Sequence, residues 1–194
     1  MAQPFTSEQR DAIRQRLFES ACRHALTTGV KKTSLDMLTA DAGIAKSSFY
    51  KFFESKEQLF LAVASQWEAQ AIEYGVMALE ATGDKPNKLR AAAFVFAVFE
   101  AIHQLGIARF LREDLPHLNS FIPQDMAREH CMDSADSIFG QRRRAGITFA
   151  APDETVLSVI RLLYLSILNI SDLGDSFFPA LQELVASACD RMVA

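Results

Sequence analysis

The stretch Thr33 to Lys56, TSLDMLTADAGIAKSSFYKFFESK, limits what this chain can fold into more than any other. It has room for two short helices and a sharp bend between them. Thr33 or Ser34 can cap the first helix with a side-chain oxygen, worth about 1 kcal/mol over alanine. Leu35, Leu38 and Ala42 then share its inner face, as the helical repeat requires. Gly43 permits the positive φ of a tight turn, and Ile44 can plug the space between the helices. The second helix, expected over about Ala45 to Phe52, turns Phe49 and Phe53 inward and leaves Lys46, Ser47, Tyr50 and Lys51 on its other face.

Nearly every other segment repeats its apolar residues at helical spacing, and no stretch alternates convincingly as a strand does. Thr6 with Gln9 is a capping-box pair. It opens a helix through Ile13, Leu17, Ala21 and Ala25 that Gly29 ends. Ser55 with Gln58 is a second such pair, starting a long helix to the boundary Ala81-Thr82-Gly83-Asp84. Pro86 fits the first turn of the next helix, to about Leu105. A short helix from Ile107 to Asp114 should stop at Leu115-Pro116. Another is expected from about Pro123 to Arg142-Arg143-Arg144, with Gly146 as its C-cap. The last two cover Asp153 to Ser171, apolar nearly all round, and a helix capped by Asp175 or Ser176. The expected fold is therefore all-α, with domains at 1–54 and 55–194.

Composition narrows the function. About half of the 194 residues are hydrophobic and 23% are charged, a globular balance rather than a disordered one. The formal net charge of −4 is unevenly spread. Residues 1–60 carry nine Lys/Arg against seven Asp/Glu, which leaves 11 against 17 for the remainder. The basic excess thus lies with the opening segment. Cys22, Cys131 and Cys189 are odd in number and far apart, which fits neither a disulfide framework nor a zinc site. The four histidines (His24, His103, His117, His130) show no ligand spacing, so no metal or other cofactor is expected. The N-terminus lacks the order of a signal peptide. The longest apolar run, Val156 to Ile170, is too short to span a bilayer and contains Arg161. A cytoplasmic protein with no membrane partner is the expectation.

From Gly29 to Leu61 the chain resembles the TetR family of transcriptional regulators. The matching residues are Thr33, Ser34, Leu35, Leu38, Ala42, Gly43, Ile44, Phe49, Tyr50, Phe53, Lys56 and Leu59. Two positions depart from that family's pattern: Thr39 stands where alanine is usual, and Phe52 where a histidine often helps hold a phosphate. The resemblance implies a helix-turn-helix DNA-binding domain, a connecting helix and a variable helical domain that binds a small-molecule effector.

In a helix-turn-helix the second helix enters the major groove with its first turn at the base edges. That assigns Lys46 and Ser47 to bases, since lysine can donate to guanine and serine can read either partner. Thr33 counts with the DNA-facing set. Ser34, Ser48, Tyr50, Lys51 and Lys56 suit phosphate oxygens, which fix register without reading sequence. Asp36 can accept from a cytosine amine or simply favour the helix dipole. Arg142 to Arg144 read as a solvated helix end or a second nucleic-acid contact.

Trp67, Phe96, Phe99, His103, Tyr164 and Asn169 are the candidate effector-binding residues, because such sites are mostly aromatic with few polar groups. Plain core packing explains the same aromatics, and the sequence leaves both readings open. The apolar C-terminal pair suggests a homodimer sealed as a four-helix bundle through Ile160, Ile167, Leu181, Leu184 and Ala188. Taken with what the family resemblance implies, the expectation is a homodimeric, ligand-responsive repressor of a palindromic operator in double-stranded DNA, not an enzyme: no nucleophile–base pair, metal motif or phosphate loop is present. A co-regulator of the same fold that has lost DNA binding is the alternative, with an enzyme built on a C-terminal pocket behind it.

Overall fold

The computed structural model describes residues 5–121 and 145–194, and among these every named element is helical. Helix α1 spans Ser7–Thr27, α2 Leu35–Ala42, α3 Lys56–Ala81 and α4 Asn87–Gln104. Short helices α5 (Ala108–Glu113) and α6 (Leu115–Asn119) follow, then α7 (Asp153–Ile167), α8 (Ile170–Leu173) and α9 (Phe177–Met192). The helix expected over 123–144 lies outside the described residues, as do Cys131, His130 and Arg142 to Arg144.

Two compact units share the chain. One comprises residues 1–66 with 109–121, the other 67–108 with 122–194. Helix α3 therefore begins in the first unit and ends in the second.

In the first unit α1 starts on the expected capping box: the Thr6 hydroxyl accepts from the Gln9 N–H at 3.2 Å and the Gln9 side chain accepts from the Thr6 N–H at 3.0 Å. Its buried stripe is Ile13, Leu17, Ala21 and Ala25, with Ser20 beside them. Gly29 takes φ +83°, and an added Cβ would lie 3.4 Å from both the Arg109 guanidinium and the Asp114 carboxylate. Those two side chains hold the α1–α2 turn: Arg109 donates to the Ala25 carbonyl at 2.8 Å, and the Val30 N–H donates to Asp114 at 3.2 Å. Phe110 and Leu118 are buried in the same unit. The short helix ends at Glu113, close to the expected stop, but Pro116 opens another helix. It sits in the first turn of α6, where its missing N–H costs nothing.

In the second unit α9 packs on α4, and α7 packs on both. Pro86 stands at the N-cap of α4 rather than inside its first turn. Ala150 and Ala194 pair with the carbonyls of Met192 and Thr148, pinning the chain's end beside residues 148–150. Helix α7 stops at Ile167 rather than running to Ser171. There the Ser166 hydroxyl donates to Leu163 O and the Asn169 amide to Leu165 O, side-chain bonds that compete with continued helix. Ser176 occupies the N-cap of α9 without a side-chain cap.

Burial divides the residues expected at a dimer face. Ile167 and Leu181 are spent in the protomer's own core, while Ile160 and Ala188 are half-buried. The large apolar side chains left open on α7 and α9 are Leu162 at 67%, Leu165 at 55% and Leu184 at 59% exposure.

Candidate nucleic-acid interface

Helix α2 is fixed at both ends by local chemistry. The Ser34 hydroxyl accepts from the Met37 N–H at 3.2 Å, the expected cap. Gly43 ends the helix in the left-handed region at φ +69°, and Ile44 N–H returns to the Thr39 carbonyl at 3.0 Å. Thr39, the departure from the family pattern, is buried but satisfied, its hydroxyl donating to Leu35 O at 2.8 Å. Asp41 ties α2 to α1: it accepts from Ser20 at 2.6 Å and from Arg23 at 2.7 Å, and lies 3.0 Å from His24 Nε2. The Ser20 hydroxyl, helped by Arg23 and His24, holds the Asp41 carboxyl down to about 2.

The segment after the turn is a 3₁₀ helix over Lys46–Lys51 rather than the α-helix expected over Ala45 to Phe52. Ala45 offers no side-chain cap. The N–H groups of Ser48 and Phe52 bond three residues back, at 2.8 and 2.9 Å, the tighter winding common in short pieces. Phe49 is fully buried and meets Phe53 at 6.0 Å between ring centroids, so the inward face is as expected. Lys46, Ser47, Tyr50 and Lys51 are exposed, Tyr50 at 60%, and Ser48 is half-buried. Lys46 donates to Asp36 at 2.9 Å, a role for Asp36 that neither sequence reading contained. Both partners are more than half exposed, so the pair contributes at most about 1 kcal/mol and can open for a ligand.

Two residues of the expected set face elsewhere. Thr33 is buried, its hydroxyl donating to Gly29 O at 2.7 Å. Lys56 turns its ammonium onto the carbonyls of Val30 at 3.0 Å and Thr33 at 2.9 Å. Both close the turn before α2 instead of reaching outward. The Gln58 side chain also departs from its box, accepting from Glu54 N–H at 2.7 Å while its own N–H meets Ser55 Oγ at 3.0 Å.

Sequence reasoning missed Arg10 and Arg14, four apart on α1. Their guanidiniums donate to the carbonyls of Lys51 at 3.1 Å and Phe52 at 3.3 Å. They also lie over the rings of Phe52 and Phe53, at 5.5 and 4.7 Å. Phe52 itself packs against Phe5 at 5.9 Å. The i, i+4 spacing was visible. What the two arginines would face was not.

Residues 17–63 match the family model described as bacterial regulatory proteins, tetR family. That segment is a tetR-family domain. A TetR-family transcriptional regulator of Pectobacterium atrosepticum has the same fold at TM-score 0.64 and 22% identity, over 94% of this chain and 93% of that one. NemR of E. coli in its reduced form aligns at TM-score 0.62 and 20% identity, over 93% and 97%. A TetR-family regulator of Marinobacter aquaeolei aligns at 0.59 and 16%, over 97% and 99%. No curated protein matches the chain in sequence. The family model covers the helix-turn-helix segment, and the structural likeness extends the tetR-type fold through the C-terminal helices.

The remaining expected residues lie in the second unit. Phe96 and His103 meet over the ring of Phe178, at 6.2 and 4.9 Å. His103 is exposed, whereas Trp67 and Phe99 are buried. Tyr164 is half-buried, its hydroxyl pushed up to about 12 chiefly by burial. Asn169 is exposed and turned back on its own helix. Burial likewise raises the Cys22 and Cys189 thiols to about 11, which keeps them from reacting as thiolates. Among the described residues no three His, Cys, Asp or Glu side chains converge as metal ligands, and no helix is long and apolar enough to cross a membrane.

Proposed function

We propose that the chain acts as a homodimeric repressor that holds a palindromic operator through its 3₁₀ segments and is released by a small-molecule effector. The observation that carries this reading is the exposed row Lys46, Ser47, Tyr50 and Lys51, aimed outward because Phe49 anchors the same turn in the core. Lys46 and Ser47 come first in the segment, where base edges are met. Ser34 keeps its hydroxyl proton free for a phosphate oxygen while its lone pair caps α2. Ser48, Tyr50 and Lys51 add further phosphate donors.

Dimerisation is supported by the open leucines of α7 and α9, since an apolar face of that kind calls for cover. The effector reading is supported by the aromatic group Phe96, His103 and Phe178, which stays partly open on α4 and α9. An effector that binds better in the conformation mismatched to DNA lowers DNA affinity by linkage. Selecting bound duplexes from a random pool with the full-length protein tests the proposal. Enrichment of an inverted repeat is the expected result, and a pool that stays random after repeated rounds would sink it.

A further inference from the structure

Around Phe52 the molecule keeps three cations that no carboxylate among the described residues pairs with. Elsewhere its basic side chains are often matched: Arg23 with Asp41, Lys46 with Asp36, Lys88 with Asp190, and Arg109 and Arg112 with Glu113. Arg10, Arg14 and Lys51 differ. Each is exposed, and among the described residues none has a carboxylate partner. Yet they are held in place. Each guanidinium spends one nitrogen on a carbonyl at the end of the 3₁₀ segment and lies over a phenylalanine ring, and the Lys51 ammonium lies 5.5 Å from the Phe5 ring.

A ring face and one hydrogen bond orient the guanidinium plane while leaving most of its five N–H donors unspent. An open cleft of about 440 Å³ adjoins them, lined by Arg14, Tyr50, Lys51, Phe52 and Phe53, with Glu54 as its carboxylate. In the cleft Arg14 and Lys51 stand against one acid, and with Arg10 seated on the neighbouring Phe52 ring they form an anion-binding edge with the forked donors that suit phosphate.

We propose that Arg10 and Arg14 extend the DNA-contacting surface onto α1, gripping backbone phosphates that flank the base pairs read by Lys46–Lys51. This rests on the DNA-binding reading above. The aromatic seat gives Phe52 a positive function: its ring fixes Arg10, as the Phe53 ring fixes Arg14. Phosphate contacts of this kind add affinity equally on every sequence.

Binding of the full-length protein to a mixed-sequence duplex of about 30 base pairs, some three helical turns, followed by fluorescence anisotropy across a salt series, tests the proposal. Each phosphate neutralised contributes a slope of about −0.9 in log affinity against log salt. Arg10→Gln with Arg14→Gln should flatten the slope by about 1.8 for each subunit engaged. Arg10→Lys with Arg14→Lys should keep the slope, which separates lost charge from lost packing. A wild-type protein that binds while the glutamine pair leaves the slope unchanged would overturn this proposal alone. So would a lysine pair that falls as far as the glutamine pair. No duplex binding by the wild type at any salt would overturn both this proposal and the DNA-binding reading.

Discussion

The carboxylate of Asp41 collects contacts from three residues of α1, and so sets how the reading segment is carried. Its depressed pKa stabilises the fold fully above the ordinary carboxylate value near 3.8 and loses that stabilisation as pH falls toward about 2. Asp41→Asn should therefore lower the unfolding temperature at neutral pH, by about 1 kcal/mol of stability since the group is a third open to water. The gap between wild type and variant should close between pH 4 and 2. Thermal unfolding across pH reads both effects. Lys56 makes the opposite lesson for charge. Its ammonium serves two backbone carbonyls, so Lys56→Ala should cost about 1–3 kcal/mol in thermal unfolding, as hydrogen bonds to charged groups do. The salt slope of DNA binding should stay unchanged, and a flattened slope without loss of stability would return Lys56 to the phosphate set. Sequence shows that a lysine follows the motif; it does not show which carbonyls come within reach when the turn closes.

At the scale of elements, the caps and faces of α1 and α2 were legible because they depend on residues three or four apart. Thr6 with Gln9, Ser34 and Gly43 all act where local pattern puts them. The 3₁₀ winding of Lys46–Lys51, the early end of α7 and the placing of Pro116 were not legible. The first two are decided by a few hydrogen bonds that compete with continued α-helix. Least visible was the return of residues 109–121 to the N-terminal unit, since Arg109–Ala25 and Val30–Asp114 join positions 84 apart in sequence. Close approach of α3 and α4 is equally a tertiary fact. A Cβ on Gly75 would lie 2.7 Å from the Val98 side chain and 2.9 Å from the Phe94 ring. Gly75→Ala should thus cost about 1–3 kcal/mol by overpacking, measurable by denaturant unfolding, and a neutral result would mean that the two helices separate freely.

For the whole molecule, the open leucines and the buried ones make separable predictions. Leu162→Glu with Leu184→Glu should leave a folded monomer by circular dichroism and analytical ultracentrifugation, because both side chains are more than half exposed in the protomer. Charge at Ile167 or Leu181 should instead unfold the protomer, since both are core. An intact dimer in the double leucine variant would move the interface elsewhere. The central claim, that two copies present Lys46–Lys51 together to one face of a duplex, is tested most directly by spacing. Two linked heads demand half-sites about 34–36 Å apart or one that keeps the same helical face. Starting from the selected operator, an insertion of about half a helical turn between the half-sites puts one of them on the wrong face. That insertion should cost about 100-fold or more in affinity, the avidity of the second head. Equal affinity for the two duplexes would mean that the heads act independently, and would contradict the account.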